Sequence, residues 1–172
     1  MVGPIVCGRN LLVGSGTLSR MATTWLSPSE MRAWRNFIES VSPMAAALEN
    51  DLVPFGLTLG DYEVLVRLSE ADEQRMRMCD LAIVLQLSPS GLTRRLDGLV
   101  STGLVERVAS PDDRRVMFAA LTAAGRAKLA KAAPNHVASV RNHFFKSLTR
   151  DQVRELGNIF ETVRANLTAC SE

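Results

Sequence analysis

Two short stretches of this 172-residue chain have side chains suited to reading a nucleic-acid duplex. The first is Ser88-Pro89-Ser90-Gly91, followed by Thr93, Arg94 and Arg95. An arginine can pair bidentately with a guanine edge, and a serine or threonine hydroxyl can bond a base or a phosphate. Gly91 carries no side chain, so a helix bearing it can come close to a backbone. The second is Asp112-Asp113-Arg114-Arg115. An aspartate two residues before an arginine can hold its guanidinium in one pose. Such an arginine at a hairpin tip suits the negative potential of a narrow minor groove. Each stretch also has a plainer reading. The first is then the solvated face of an amphipathic helix, and the second a surface ion pair of little worth.

The elements that must position these residues follow from local patterns. Ser88 suits a helix N-cap and Pro89 the first helical position, where its missing N–H costs nothing. Leu92, Leu96, Leu99 and Val100 then recur on one face, which predicts a helix with Ser90, Thr93, Arg94 and Asp97 turned elsewhere. A short apolar helix around Asp80-Leu81-Ala82 precedes it, and Gly103 ends it. Leu104, Val105 and Val108, then Val116, Phe118 and Leu121, predict two strands around the Ser-Pro-Asp-Asp turn. From Asp80 to Leu129 this is the layout of a winged helix-turn-helix. One helix suits a major groove, and one hairpin reaches an adjacent minor groove.

The run Asp113-Arg114-Arg115, then Leu121-Thr122 and Gly125-Arg126, resembles the wing signature of the MarR (multiple antibiotic resistance regulator) family. Asp80-Leu81-Ala82, the Leu87-Ser88 helix start and Gly103-Leu104-Val105-Glu106-Arg107 resemble the family too. The likeness spans residues 27–167 in layout and is specific between 80 and 129. Val116 and Ala119 depart from the family pattern, but in the strand rather than at the tip. The resemblance implies a mainly α fold with a small β-hairpin wing, a winged helix-turn-helix flanked by N- and C-terminal dimerisation helices. It implies a sequence-specific double-stranded DNA-binding regulator, a homodimeric repressor released by a small ligand. Ser88, Ser90, Gly91, Thr93, Arg94, Arg95, Asp113, Arg114 and Arg115 then become the DNA contacts.

Outside this lobe the chain reads as helix. Ser27-Pro28-Ser29-Glu30 is a capping box, and Trp34, Phe37, Ile38, Val41, Met44, Ala45, Leu48 and Leu52 form one stripe. Pro43 inside it should kink or split the helix. Thr58 to Asp61 is a second capping signal. Thr122 can cap an Ala-rich helix carrying Leu129, Ala133, Val137, Val140 and Phe144, with a bend expected at Pro134. A last helix starts near Thr149. These apolar stripes exceed what one small core can bury, which points to a second copy of the chain. The expected division is a flexible extension over residues 1–25 and a single domain over 26–170. Within it, 58–121 form the DNA-binding lobe, and 27–53 with 122–169 the dimerisation helices. Such a dimer reads a near-palindromic operator.

A small aromatic or amphipathic effector is expected between the terminal helices and the lobe, at Trp34, Phe37, Ile38, Tyr62 and Leu65. All five also suit plain core positions. The formal charge of +2 is modest, so DNA binding has to rest on local basic clusters. No phosphate loop or nucleophile elbow occurs, and His136 and His143 lack partners at metal spacing, so neither an enzyme nor a cofactor is expected. Cys7, Cys79 and Cys170 fit no disulfide framework, which suggests a reducing, cytoplasmic setting, and no apolar run approaches the length of a membrane-spanning helix, so no membrane partner is expected. Two alternatives stand beside the regulator. One is a winged-helix protein-interaction module without DNA readout. The other is a regulator sensing oxidants through Cys79, which is expected at a helix start.

Overall fold

The computed structural model describes residues 25–113 and 115–169. The expected N-terminal extension with Cys7, and also Arg114 and Cys170, lie outside them. Six α-helices and one small sheet follow in order. They are α1 (Pro28–Leu52), α2 (Leu59–Glu70), β1 (Arg75–Arg77), α3 (Met78–Val84), α4 (Pro89–Ser101), β2 (Val105–Ala109), β3 (Met117–Leu121), α5 (Ala123–Val140) and α6 (Arg150–Ala169). The sheet is antiparallel with order β1-β3-β2. The result is mainly helical with a small wing, as expected from the sequence.

Helix starts obey their caps. Ser27 and Glu30 bond each other's backbone N–H groups, and Thr58 and Asp61 do the same at α2. The Ser88 hydroxyl accepts from Gly91 N–H at 3.1 Å. A Cβ at Gly91 would stand 3.1 Å from that hydroxyl, so the glycine gives the cap room. Thr122 accepts from Gly125 N–H at 3.0 Å and donates to the Gly103 carbonyl at 2.8 Å, so one side chain caps α5 and ties it to the wing.

The core lies inside the lobe. Leu92, Leu96 and Leu99 of α4 are buried together with Val64, Leu65 and Leu68 of α2, Leu81 of α3 and Val105 of β2. Leu52 at the end of α1, Ala119 and Leu121 of β3 and Ala132 of α5 belong to the same core. Val100, expected on the same face, is only half-buried. Removing apolar surface of this kind from water stabilises by about 25 cal/mol per Å2, so the α4 face alone anchors the helix firmly.

Three further features shape the helices and the sheet. Helix α1 is not split at Pro43 but runs unbroken to Leu52. The carbonyl of Glu39 loses its N–H partner there, but Glu39 is exposed, so water can take the bond. Helix α5 likewise continues past Pro134, and a π turn follows it over Arg141–Phe145, closed by Lys146 N–H on the Arg141 carbonyl at 2.8 Å. Finally, the hairpin has a third strand, β1, which pairs Arg75 with Ala120 and Arg77 with Phe118. The chain enters it through Glu73 and Gln74, both at positive φ.

Candidate nucleic-acid interface

Helix α4 holds its start open to solvent because its apolar face is locked inward. Ser88, Ser90, Thr93 and Arg94 are all exposed. Ser90 lies 3.2 Å, hydroxyl to hydroxyl, from Ser88, and Thr93 donates to the Pro89 carbonyl at 2.9 Å. Among the described residues no ion-pair or hydrogen-bond partner engages Arg94. Its guanidinium is therefore uncommitted, five donors on a planar fork.

The wing follows α4 and is built from β2, β3 and the turn between them. Beyond β2 the turn closes with Ser110 N–H on the Val116 carbonyl at 2.8 Å and Val116 N–H on the Asp113 carbonyl at 2.9 Å. Asp113 then holds Arg115 with both oxygens, Oδ1 on Nε at 3.1 Å and Oδ2 on Nη2 at 3.3 Å, and Oδ1 also takes the Arg115 backbone N–H at 3.0 Å. The Arg115 side chain, then its backbone N–H, hold the Asp113 carboxyl below the usual carboxylate range. Even so, the Arg115 side chain is 91% exposed. The pose expected from an Asp two residues before an Arg is thus present: a fixed cation at an open tip.

Helix and wing meet across a groove of about 510 Å3. Thr93 of α4, Arg107 of β2 and Arg115 of the tip line it, with Arg77, Met78 and Cys79 at the junction of β1 and α3. Arg107 crosses from β2 to α4, bonding Asp97 at 2.8 Å and the Thr93 carbonyl at 3.2 Å, which braces the wing against the helix. Arg77 had no sequence signal, because only its pairing with Phe118 carries it to the groove. Cys79 is exposed at the start of α3, its thiol 3.4 Å from the Asp80 carboxylate.

Arg95 does not join this face, contrary to the expectation of a DNA contact. It turns back to α2, with Nη1 3.6 Å from Asp61 Oδ1 and 3.4 Å from the Thr58 hydroxyl.

The five residues expected around an effector are not brought together. Leu65 is fully buried in the core. Tyr62 stacks on His136 of α5, centroids 4.3 Å apart, beside a cavity of about 350 Å3 also lined by Leu48, Leu59, Val66 and Arg67. Trp34, Phe37 and Ile38 lie three to four turns away along α1, at about 1.5 Å per residue from Leu48. Trp34 packs beside Phe37, and Phe37 beside Phe160 of α6, at 6.0 and 6.2 Å between centroids. The helical period gave these residues a common face but said nothing of their distance along the axis. His136, which lacks partners at metal spacing in the sequence, packs here between α5 and α2. Its Nδ1 and the Nε of Arg67 are buried without a hydrogen-bond partner among the described residues, and burial lowers the His136 pKa. His143 instead meets Asp51 at 3.3 Å, and no described residues cluster as metal ligands. No described helix is long and apolar enough to cross a membrane.

Comparison with known proteins places this geometry. The MarR family model matches residues 57–117, the stretch from the start of α2 to the wing. The HTH-type transcriptional repressor YetL of Bacillus subtilis is 28% identical over 121 residues, 69% of this chain and 72% of that protein. The crystal structure of AbsC, a MarR family transcriptional regulator from Streptomyces coelicolor, is 41% identical with a TM-score of 0.80, covering 86% of this chain and 99% of that one. Sco3205, a MarR family regulator from the same organism solved in complex with DNA, is 34% identical with a TM-score of 0.78, covering 84% and 91%. The chain belongs to the MarR family of transcriptional regulators, and is a regulator rather than an enzyme.

Proposed function

We propose that the chain works as a homodimeric repressor that reads a near-palindromic operator and is released by a small molecule. The observation that carries the DNA reading is the shared groove, with Thr93 on one side and Arg115, steered by Asp113, on the other, while the uncommitted Arg94 next to Thr93 stands exposed on the same helix. In this reading Ser88, Ser90, Gly91, Thr93 and Arg94 approach major-groove edges and nearby phosphates, and Arg115, with Asp113 and Arg114, serves the adjacent minor groove. Residues 58–121 act as the reading lobe, and 27–53 with 122–169 as the dimerising part. YetL, a repressor by name, supports the sign of regulation.

Dimerisation draws support from the terminal helices. Trp34, Phe37 and Phe160 remain 48%, 44% and 42% exposed although they touch one another, so their apolar surface is only partly used within one chain. A symmetric partner covers such a face with its own copy of it. For the effector, the cavity at Tyr62 offers apolar wall from Leu48, Leu59 and Val66, the carboxylate residues Glu63 and Glu70, and two polar atoms without a hydrogen-bond partner among the described residues, Arg67 Nε and His136 Nδ1. This suits a small aromatic or amphipathic compound with an acceptor group. Such a compound acts by binding one spacing of the reading heads better than another.

The test is binding to duplexes from the DNA upstream of the chain's own coding region. Arg115→Ala should weaken binding by about 1–3 kcal/mol with unchanged melting, Asp113→Ala should weaken it less, and Arg94→Ala should flatten discrimination at one symmetric pair of base positions. An Arg115→Ala protein that binds as tightly as wild type at moderate salt contradicts the reading.

A further inference from the structure

Arg95 lies on the recognition helix, beside the residues proposed to meet DNA, yet it turns back onto the start of α2. Its guanidinium lies directly over Gly60, where a Cβ would come within 2.1 Å of Nη1 and 2.3 Å of the guanidinium carbon. No other side chain fits under that group without moving it. The seat is the first turn of α2. Thr58 caps that turn, and Asp61 returns Oδ2 to the Thr58 N–H at 3.1 Å. The other Asp61 oxygen faces Arg95 at 3.6 Å, and the Thr58 hydroxyl lies 3.4 Å from Nη1. A helix N-terminus is electropositive and repels a cation, so only the Asp61 carboxylate makes this a tolerable place for a guanidinium. Arg95 is two-thirds covered there, its side chain 33% exposed, in contrast to the open Arg115.

We infer that Arg95 is a positioning residue, which docks the recognition helix onto the first turn of α2 through Gly60, Thr58 and Asp61 and so sets the pose in which Thr93 and Arg94 meet base edges. It is not a phosphate contact. Residues Thr93 and Arg94 directly precede it on α4, so a shift of Arg95 from its seat turns them together. The inference rests on the reading that α4 meets DNA.

The two roles leave different marks. A phosphate contact contributes to every sequence equally and adds about one to the salt slope of binding. A positioning residue contributes to discrimination and leaves the slope alone. The experiment measures fluorescence anisotropy at several salt concentrations on a duplex from upstream of the coding region and on a random duplex of equal length. Arg95→Ala should lose about tenfold on the first duplex, nothing on the second, and keep the wild-type slope. Gly60→Ala, whose methyl pushes the guanidinium from its seat, should do the same, and the double variant should lose no more than either. If Arg95→Ala instead weakens both duplexes alike and lowers the slope by about one while Gly60→Ala is neutral, Arg95 is a phosphate contact and the inference falls.

A urea-unfolding cycle on the free protein tests the seat without DNA. Gly60→Ala should destabilise the wild type but not the Arg95→Ala background, where the methyl has room. Additive effects overturn the inference. Wild-type protein that does not distinguish the two duplexes contradicts the reading of α4 instead, and the unfolding cycle then decides the seat independently.

Discussion

The reading lobe and the terminal helices use their apolar residues in opposite ways. In the lobe, Leu65, Leu68, Leu81, Leu92 and Leu96 are fully or almost fully buried, and the polar ends of α4 and the wing are left free. In the first two-thirds of α1 and along α6, Trp34, Phe37, Ile38, Ile159, Phe160 and Val163 stay about half exposed. The lobe completes its core within one chain, while the terminal helices leave apolar surface over. A structure built this way separates two tasks. In the proposed homodimer each lobe keeps its shape through its own packing, and the spacing between the two lobes falls to the terminal helices. That separation suits the proposed release by a ligand, which changes the spacing without melting the reader.

The largest test of the contrast strikes where the two parts join. Gly125 opens α5 directly under the wing, and a Cβ there would fall 2.1 Å from the Leu104 carbonyl oxygen and 2.8 Å from Leu121 Cδ1. Backbone cannot give way as a side chain can. Gly125→Ala should therefore destabilise the fold by about 3 kcal/mol, read by urea unfolding. A variant as stable as wild type would mean that α5 and the wing are not rigidly joined.

A smaller effect is expected at the exposed aromatic face. Phe37→Asp should weaken self-association by about 2 kcal/mol or more per protomer, by removing an apolar side chain and adding a charge. Sedimentation should show a shift toward monomer, while the helical signal and the unfolding of the lobe persist. Unchanged association would assign the dimer contact elsewhere, and loss of the lobe together with association would deny the separation of tasks.

The smallest concerns His136, at the boundary between α5 and α2. Burial lowers its pKa in the folded protein below the unfolded value near 6.5. The unfolded chain then binds more protons in the window just below that value, so stability is complete above it and declines as pH falls through it toward the folded value. Asp51, lowered by its bond from Ser139, and Asp113, lowered by Arg115, titrate further down and do not contribute to this window. Between pH of about 7.5 and 5.5, His136→Gln should therefore show a shallower loss of stability than wild type. An identical slope would remove His136 from the boundary's pH response.

The ease of reading this chain from sequence followed the range of each interaction. The caps at Ser27, Thr58, Ser88 and Thr122 bond residues three apart, and the face of Leu92, Leu96 and Leu99 is one helical stripe, so local pattern carried them. Asp113 and Arg115 are two residues apart, so their pairing was legible as well. Strand β1 was not. It is three residues long, and its partner β3 is about 40 residues away, so nothing in Arg-Met-Arg signals pairing. Local pattern places Arg95 beside outward-facing neighbours and so suggests a DNA contact, whereas its actual partners lie 34 to 37 positions earlier in the chain. Of the two outcomes Pro43 suggests, a kink or a split, α1 does not show the split, since an exposed helix can lend its orphaned carbonyl to water.

Hydroxyl-radical footprinting of the DNA upstream of the chain's own coding region is the sharpest check that α4 and the wing together read a duplex, because the radical reports on the minor groove. Two protected half-sites are expected, with centres one helical turn apart, about 10–10.5 base pairs, or a multiple of that. Arg115→Ala should lose the protection flanking each half-site while keeping the register between them. Uniform protection along the fragment, or a flanking pattern that Arg115→Ala leaves unchanged, would contradict this mode of reading.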